Sequence, residues 1–288
     1  MKPAAFAYAK AFSLDHAIEL LGRACGDTRV LAGGQSLIAT LNMRLSSPDL
    51  LVDINAVPGL DGIAVKDGML EIGALVRHAQ AERSDLVARH APLIAMALPH
   101  IGHAAIRNRG TIGGSIAFAD PAAELPACLV ALGGEVSIAG PDGRRSVAAE
   151  QFFRGLFETA LSPRDVLTAI RVPLAERDSR FGFGEFSRRH GDYAMIGLAA
   201  QARAQRGGLR DLRLVYFGVG ATPVRARNTE AALAGDPLQI AAAVSALAQD
   251  LDPPDDLQAT GAVKIHLAGV LLERVAQQLG AGRGPGPA

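Results

Sequence analysis

Two glycine pairs set the terms for this chain. One lies in LAGGQS, where Gly33 and Gly34 separate a β-like run, TRVL, from a short helical pattern, SLIATLNMRL. The other lies in TIGGS, where Gly113 and Gly114 are flanked by Thr111 and Ser115. Glycine lacks the Cβ that elsewhere keeps backbones apart, so paired glycines mark a close approach to the main chain. The approaching group is either another part of the protein or a ligand. Converging N–H groups in a tight glycine turn form a nest for an anion. A helix starting directly behind adds free N–H groups and a positive dipole end. Two such nests suit a ligand with two adjacent phosphates. The pattern alone leaves both readings open: two ordinary turns, or two walls of one anion site.

The chain is long enough to carry this architecture. Its 288 residues suit one large domain or two to three smaller ones, and 49% apolar content supports a packed core. Equal numbers of basic and acidic residues, 29 each, give no general nucleic-acid or membrane-surface character. No Trp and only three Tyr argue against a stacking platform for nucleic acid. Cys25 and Cys128 are too few and too far apart for an iron–sulfur or zinc cluster built by this chain alone. They also speak against a disulfide-stapled secreted protein. The N-terminus MKPAAFAYAKAFSL lacks a continuous apolar signal core. No run approaches the roughly 18 apolar residues of a membrane span. The expectation is a soluble cytoplasmic protein.

Periodicity divides the chain. Ser13 caps a helix in SLDHAIELLG, and TRVL, SLIATLNMRL and DLLVDI form a β–turn–α–β unit over about residues 1–57. From Pro58, MLEIGALV reads as a strand, and AQAERSDLVARHAPLIAMALPHIG as helix broken at Pro92 and Pro99. ELPACLVALGG is helical, EVSIAGPDGRRSV is a hairpin with a Gly-Pro-Asp-Gly turn, and VLTAIRVP closes this part near residue 175. The pattern then changes to three strands, RFGFGEFSRR, AMIGLAAQARAQ and LRDLRLVYFGVG, the second also compatible with a helix. Helices follow to about residue 280, and the Gly/Pro-rich segment 281–288 is expected to be a disordered tail. The fold class is therefore α+β: an α/β part over 1–175, split into 1–57 and 58–175, then a sheet-and-helix domain over 176–280.

Familiar alternatives fail on their motifs. There is no G-x-G-x-x-G, and GVGATP carries Pro223 where the third glycine belongs. Neither a P-loop nor a G-x-S-x-G elbow is present. The seven histidines show no ligand spacing, and His100 and His103 in PHIGHAA read as structural or surface residues.

The longer stretches around the glycine pairs are distinctive. LAGGQSLIATLNMRLSSPDLLVDI and IGHAAIRNRGTIGGSIAFADPAAELPACLVALGG resemble the two fingerprints of the FAD-binding medium subunits of molybdenum hydroxylases, the carbon-monoxide-dehydrogenase and xanthine-dehydrogenase family. KPAAFAYAKAFSLDHAIELL, EFSRRHGDYAMIG and VKIHLAGVLLERV are similar to other parts of that family, so the likeness spans about residues 1–275. It implies a two-subdomain, PCMH-like FAD-binding domain followed by a three-stranded antiparallel sheet with helices. Ala32, Gly33, Gly34, Gln35 and Ser36 would wrap one side of the FAD pyrophosphate. Thr111, Ile112, Gly113, Gly114 and Ser115 would wrap the other. Asp120 and Glu124 in ADPAAE would lie at the FAD site, with Glu124 toward ribose or adenine-side groups. Tyr193 would sit near the isoalloxazine ring and the Leu167 backbone near the adenine end. Arg107 and Arg109 are read as braces of the loop, and Asn108 as either brace or contact.

Three positions depart from the family pattern. Phe118 stands where a His is common, Ser187 where some relatives carry Lys, and Val263-Lys264 where Tyr-Arg is common. The first bears on polar contacts at the site, the second on flavin potential or NAD use, the third on a subunit contact. The resemblance further implies a large molybdenum-cofactor subunit and a small 2Fe-2S subunit as partners, assembled as a dimer of heterotrimers. Electrons would pass from the iron–sulfur clusters to FAD and on to quinone, NAD or oxygen, with no catalytic side chain and no metal held by this chain. Two rival readings are a stand-alone FAD-dependent oxidase and a non-catalytic nucleotide-binding module.

Overall fold

The computed structural model describes residues 2–23, 26–206, 208–234 and 238–281. Cys25 and the segment expected as a tail, apart from Ala281, lie outside the described residues.

The first unit is a small parallel sheet. Strands β1 (Ala7–Lys10), β2 (Thr28–Leu31) and β3 (Leu50–Asp53) lie in the order β1-β3-β2. Helix α1 (Leu14–Arg23) connects the first two, and α2 (Leu37–Asn42) the second and third. Ser13 begins α1 by accepting the His16 N–H at 3.1 Å, which satisfies one of the donors a helix start leaves free. Ala17 and Leu21 turn inward onto Val52, Ile54 and Val57.

The second unit surrounds an antiparallel sheet of five strands. These are β4 (Ile63–Lys66), β5 (Met69–Gly73), β6 (Glu135–Gly140), β7 (Gly143–Ala148) and β10 (Val166–Pro173), in the order β4-β5-β10-β6-β7. Two hairpins are joined by β10 running between them, so no parallel crossover is needed here. Gly140 pairs with Gly143 across the expected Gly-Pro-Asp-Gly turn. Between β5 and β6 run α3 (His78–Glu82), α4 (Asp85–His90), α5 (Pro92–Ala97), a 3₁₀ turn (Leu98–His100), α6 (Ala104–Arg107), α7 (Ile112–Phe118) and α8 (Glu124–Ala131). Pro92 opens α5, where its missing N–H costs nothing. A short α9 (Ala149–Phe152) and the pair β8 (Phe153–Gly155) and β9 (Glu158–Thr159) precede β10.

Helix α8 is the hinge of the architecture. Every residue of it is buried, because α5 and α7 pack on one side and the third unit on the other. An all-apolar helix has no solvent face to offer. The polar residue at its start, Glu124, is therefore carried into the interior.

The third unit is an antiparallel sheet of β11 (Ser179–Phe186), β12 (Ile196–Gln205) and β13 (Gly208–Phe217), extended by a two-residue edge strand, β14 (Val224–Arg225). This fourth strand adds to the three expected; Ala226 N then bonds Leu214 O at 2.8 Å and turns the chain into α10 (Arg227–Leu233). Helices α11 (Ile240–Asp250) and α12 (Gly261–Gly280) complete the unit. Both faces of the sheet are covered. Phe181, Phe183, Ala199 and Val215 face the core that holds α8, while Ile196, Leu198, Ala200 and Leu214 face the core formed with α12. Two buried faces remove the apolar/polar alternation, which explains why AMIGLAAQARAQ is a strand that also fits a helical pattern.

Candidate functional site

The first glycine turn spans Ala32–Ser36, between the end of β2 and the start of α2. Gly34 has φ +71°, a conformation that costs a side-chain-bearing residue about 1 to 2 kcal/mol. Among the described residues, the backbone N–H groups of Gly33, Gly34, Gln35 and Ser36 have no acceptor within the chain. The Gln35 amide donates back to Gly33 O at 3.2 Å and stiffens the loop. Ser36 occupies the cap position of α2 without using its hydroxyl as a cap, leaving that hydroxyl directed at the Tyr193 phenol.

The second turn looks alike in sequence and is built differently. The Thr111 hydroxyl caps α7 by accepting the Gly114 N–H at 3.0 Å. Ile112 N bonds Val76 O at 2.9 Å, Gly113 N bonds Ala74 O at 2.9 Å, and Ser115 N bonds Thr111 O at 3.1 Å. Its donors are thus largely taken by the protein. A Cβ on Gly113 would lie 2.5 Å from Ala74 Cβ and 2.6 Å from Ala74 Cα, so this glycine allows α7 to sit on the end of β5. Gly110 likewise makes room for His78, whose Nδ1 would lie 3.0 Å from a Cβ there. Neither ring nitrogen of His78 is hydrogen-bonded. Burial, with the charges of Arg107 and Arg77 adding, pushes its pKa down to about 4 and keeps the ring neutral.

The two turns touch. A Cβ on Gly33 would strike the carbonyl oxygen of Arg109 and lie 2.9 Å from Gly110 Cα. A polar chain fastens them from outside. The Asn55 amide donates to Ala32 O at 2.9 Å, Arg77 Nη2 donates to Asn55 Oδ1 at 2.7 Å, and Arg77 Nη1 donates to the Arg109 carbonyl. Beside this junction lies a cavity of about 510 Å³ lined by Gly33, Gly34, Gln35, Ile38, Asn42, Asp53, Asn55 and Arg109, among others. An adjoining space of about 380 Å³ reaches Arg77 and Asn108. Burial raises the Asp53 carboxyl, but hydrogen bonds from the Tyr8 hydroxyl at 2.7 Å and from Asn55 outweigh it, and the net shift is downward.

The other end of the site is acidic, with Glu124 buried beside Asp120 and Glu185. Burial raises the Asp120 carboxyl against a hydrogen bond from Ala122 N at 2.9 Å. Glu124 is pushed up to about 8, first by burial and then by the charges of Glu185 and Asp120. Glu185 leaves one carboxylate oxygen, Oε2, without a partner, and its Oε1 lies 3.3 Å from His100 Nδ1. Tyr193 is half-exposed, and its hydroxyl is raised by burial and by the Asp120 charge.

The residues singled out from the sequence converge in part, and Thr111, Ile112, Gly113, Gly114 and Ser115 line neither of the two cavities. Ala32, Gly33, Gly34 and Gln35 line the cavity, and Ser36 meets Tyr193, which in turn senses Asp120 and Glu124. Leu167 stands apart, buried within β10 at a register shift and off the cavity wall. Arg107 is a brace, bonded to Glu82 at 2.9 Å and to the carbonyls of Ile101 and Gly102. The Arg109 guanidinium has no hydrogen-bond or ion-pair partner among the described residues, and it is the backbone N–H and carbonyl of this residue that are held. Asp53, Asn55 and Arg77 were not singled out. Their signal was available, since Asp53 and Asn55 are the polar residues at and just past the end of the apolar run LLV, and Arg77 follows the apolar run GALV.

The three departures have structural accounts. Phe118 packs edge-on against Phe157, with ring centroids 5.2 Å apart. The Ser187 hydroxyl donates to Arg189 O at 2.9 Å within its own loop. Lys264 is buried and bonded to Asp256 at 2.6 Å and to Gly218 O at 3.2 Å, so it ties α12 to the sheet rather than reaching outward; Val263 is exposed.

Comparison with known proteins agrees with this geometry. Residues 4–175 match the family model described as the FAD binding domain in molybdopterin dehydrogenase, and residues 181–279 match the CO dehydrogenase flavoprotein C-terminal domain. The chain is 39% identical to the 6-hydroxypseudooxynicotine dehydrogenase complex subunit alpha of Paenarthrobacter nicotinovorans, over 95% of this chain and 94% of the relative. It is 32% identical to the carbon monoxide dehydrogenase medium chain of Hydrogenophaga pseudoflava, over 95% and 96%. Among solved structures, carbon monoxide dehydrogenase from Hydrogenophaga pseudoflava superposes with a TM-score of 0.94 at 34% identity, covering 98% of this chain and 99% of the other. Quinoline 2-oxidoreductase from Pseudomonas putida 86 gives 0.93 at 34% identity, with the same coverage. A glycine turn with free N–H donors, bordering a cavity at the junction of two units, fits FAD as the bound group. The chain belongs to the FAD-binding medium-subunit family of the molybdenum hydroxylases and is an oxidoreductase subunit.

Proposed function

We propose that this chain is the electron-transfer flavoprotein of a three-subunit molybdenum hydroxylase. It receives electrons from the 2Fe-2S clusters of a small subunit, fed by a molybdenum-cofactor subunit, and delivers them to quinone, NAD or oxygen. The observation that carries this reading is the set of four free N–H donors at Gly33–Ser36 beside the cavity. A dimer of heterotrimers in the cytoplasm is the assembly proposed. Among the described residues, no helix is long and apolar enough to cross a membrane.

Bound FAD supplies the redox chemistry, and the protein supplies orientation and electrostatics. Ala32, Gly33, Gly34, Gln35 and Ser36 would form the donor-rich wall toward the pyrophosphate. Thr111, Ile112, Gly113, Gly114 and Ser115 would form the facing wall, rigid because its donors are engaged internally. Tyr193 would lie against the ring system. Asp120 and Glu124 would meet polar ligand groups, with Glu124 protonated at neutral pH and able to donate. Leu167 would act through its backbone, because its side chain is buried in the core.

The test is direct. The protein purified with its neighbouring subunits is expected to carry one flavin per chain, identified as FAD by mass after heat release. Gly34→Val is expected to empty the site. Full flavin occupancy in that variant would remove the first turn from the site, and a colourless wild type that takes up no FAD would refute the reading itself.

A further inference from the structure

Two arginines, Arg77 and Arg109, meet at the junction of the two turns, with Arg107 close behind, and the three are employed differently. Arg107 is consumed by Glu82 and two carbonyls. The Arg77 guanidinium is consumed by Asn55 and by the carbonyl of Arg109. The Arg109 guanidinium has no hydrogen-bond or ion-pair partner among the described residues, yet it lines both the larger cavity and the adjoining one. Its root is fixed while its head is free. Arg109 N bonds Ile106 O at 3.1 Å, its carbonyl accepts from Arg77, and Gly33 presses against that carbonyl.

The local charge points to what the head is for. Burial first and then the nearby charge of Arg109 lower the Arg77 pKa, against the opposing charge of Asp53, so the two guanidiniums stand within electrostatic reach of each other. The one carboxylate on the cavity walls, Asp53, is occupied by Tyr8 and Asn55. Two guanidiniums, Arg77 and Arg109, against the single ionised carboxylate of Asp53 leave the cavity walls with net positive charge, and beside them stands the row of free N–H groups at Gly33–Ser36. A guanidinium with unused donors beside unpaired backbone donors is complementary to a multiply charged oxyanion.

We propose that Arg109 is the counter-charge of the FAD diphosphate, and that Arg77 and Asn55 are positioning residues that hold its backbone against Gly33. This rests on the reading that FAD occupies this site. It assigns a ligand contact to a side chain that the sequence pattern placed among the braces. It also gives the brace a purpose: the distance between the free donors of the first turn and the guanidinium is fixed before the ligand arrives.

Titration of the flavin-free full-length chain with FAD tests this, alongside ³¹P NMR of the bound diphosphate. Arg109→Gln is expected to raise the FAD Kd by about 10- to 100-fold, the range of a hydrogen bond to a charged group. It should flatten the salt dependence of binding and move the ³¹P resonances. Arg109→Lys keeps the charge and is expected to recover most of the affinity. Arg77→Gln and Asn55→Ala should each weaken FAD, and neither should add a further loss on top of Arg109→Gln. The Arg109 side chain has no internal partner, so its thermal unfolding should match wild type and leave the binding result interpretable. An Arg109→Gln protein within twofold of wild type overturns the assignment. So does an Arg109→Lys protein as weak as Arg109→Gln with unmoved ³¹P resonances, which indicates stacking on the adenine instead. A wild type that takes up no FAD sinks the proposed function and this inference together, whereas normal uptake beside an unaffected variant sinks only the inference.

Discussion

The two glycine turns share a sequence pattern and divide the labour. At Gly33–Ser36 the backbone donors are free and border a cavity; at Ile112–Ser115 they are spent on Val76, Ala74 and Thr111. The glycines differ in the same way. Gly34 is needed for a left-handed backbone, whereas Gly113 is needed because Ala74 occupies the space of its Cβ. Gly33 joins Gly113 in this, because the Arg109 carbonyl occupies the space of its Cβ, while it also borders the cavity. A glycine pair therefore does not by itself mean a phosphate nest. What separates the two uses is where the N–H groups go, and that is a tertiary property.

The comparison extends to charge, and the largest predicted effect tests it there. The first turn faces Arg109, while the second leads into a buried acid, Glu124, raised from 4.5 to about 8. A carboxyl whose folded pKa is raised keeps its proton in the native state while the unfolded chain releases it. Stability should therefore fall as pH rises from about 4.5 to about 8, by at most roughly 5 kcal/mol at about 1.4 kcal/mol per unit. Glu124→Gln should flatten that decline in the flavin-free protein. Equal slopes of Tm against pH in both proteins would mean that burial does not hold the Glu124 carboxyl in its protonated form. Next in size is Gly113→Val. Its added side chain meets the backbone of Ala74, which cannot swing aside, so the flavin-free protein should lose about 3 kcal/mol. An unchanged Tm with lost FAD binding would make the second turn a ligand surface like the first.

The sequence carried the outline of this molecule and lost detail where two layers share one element. The β–turn–α–β unit was legible because Ser13, the glycine pair and the short apolar runs all agree. The hairpin at Gly140–Gly143 was legible from its turn residues alone. β12 was ambiguous because both its faces are buried, and β14 was missed because two residues carry no period. At the site, the long motifs pointed to two loops that the fold places against each other, the first of them bordering the cavity. Periodicity gave no reason to separate Arg107, the last residue of α6, from Arg109 just beyond it; Glu82 and the carbonyls of Ile101 and Gly102 around the first distinguish them. Lys264 shows the same limit, because a Lys on a helix reads as solvent-facing until Asp256 and Gly218 are placed around it.

Smaller substitutions separate the turns more sharply, because they leave the fold intact. Thr111→Ala removes the cap of α7 and should cost the flavin-free protein about 1 to 2 kcal/mol, seen as a lower Tm. FAD affinity should follow only modestly, since the Thr111 hydroxyl is already engaged with Gly114 N. Gly34→Ala should differ in its effect on binding. Alanine at φ +71° costs about 1 kcal/mol, and its Cβ would press on Ile38 Cγ1 at 3.1 Å and Leu31 Cδ1 at 3.3 Å. Relief comes from rotating the peptide planes of the turn, and those planes carry the free N–H groups. The flavin-free protein should therefore lose about 1 to 2 kcal/mol, less than Gly113→Val, while the FAD Kd rises about tenfold, the equivalent of about 1.4 kcal/mol. If Gly34→Ala lowers Tm as much as Gly113→Val and binds FAD like wild type, the free donors of the first turn are not what holds the ligand, and the division between the two turns collapses.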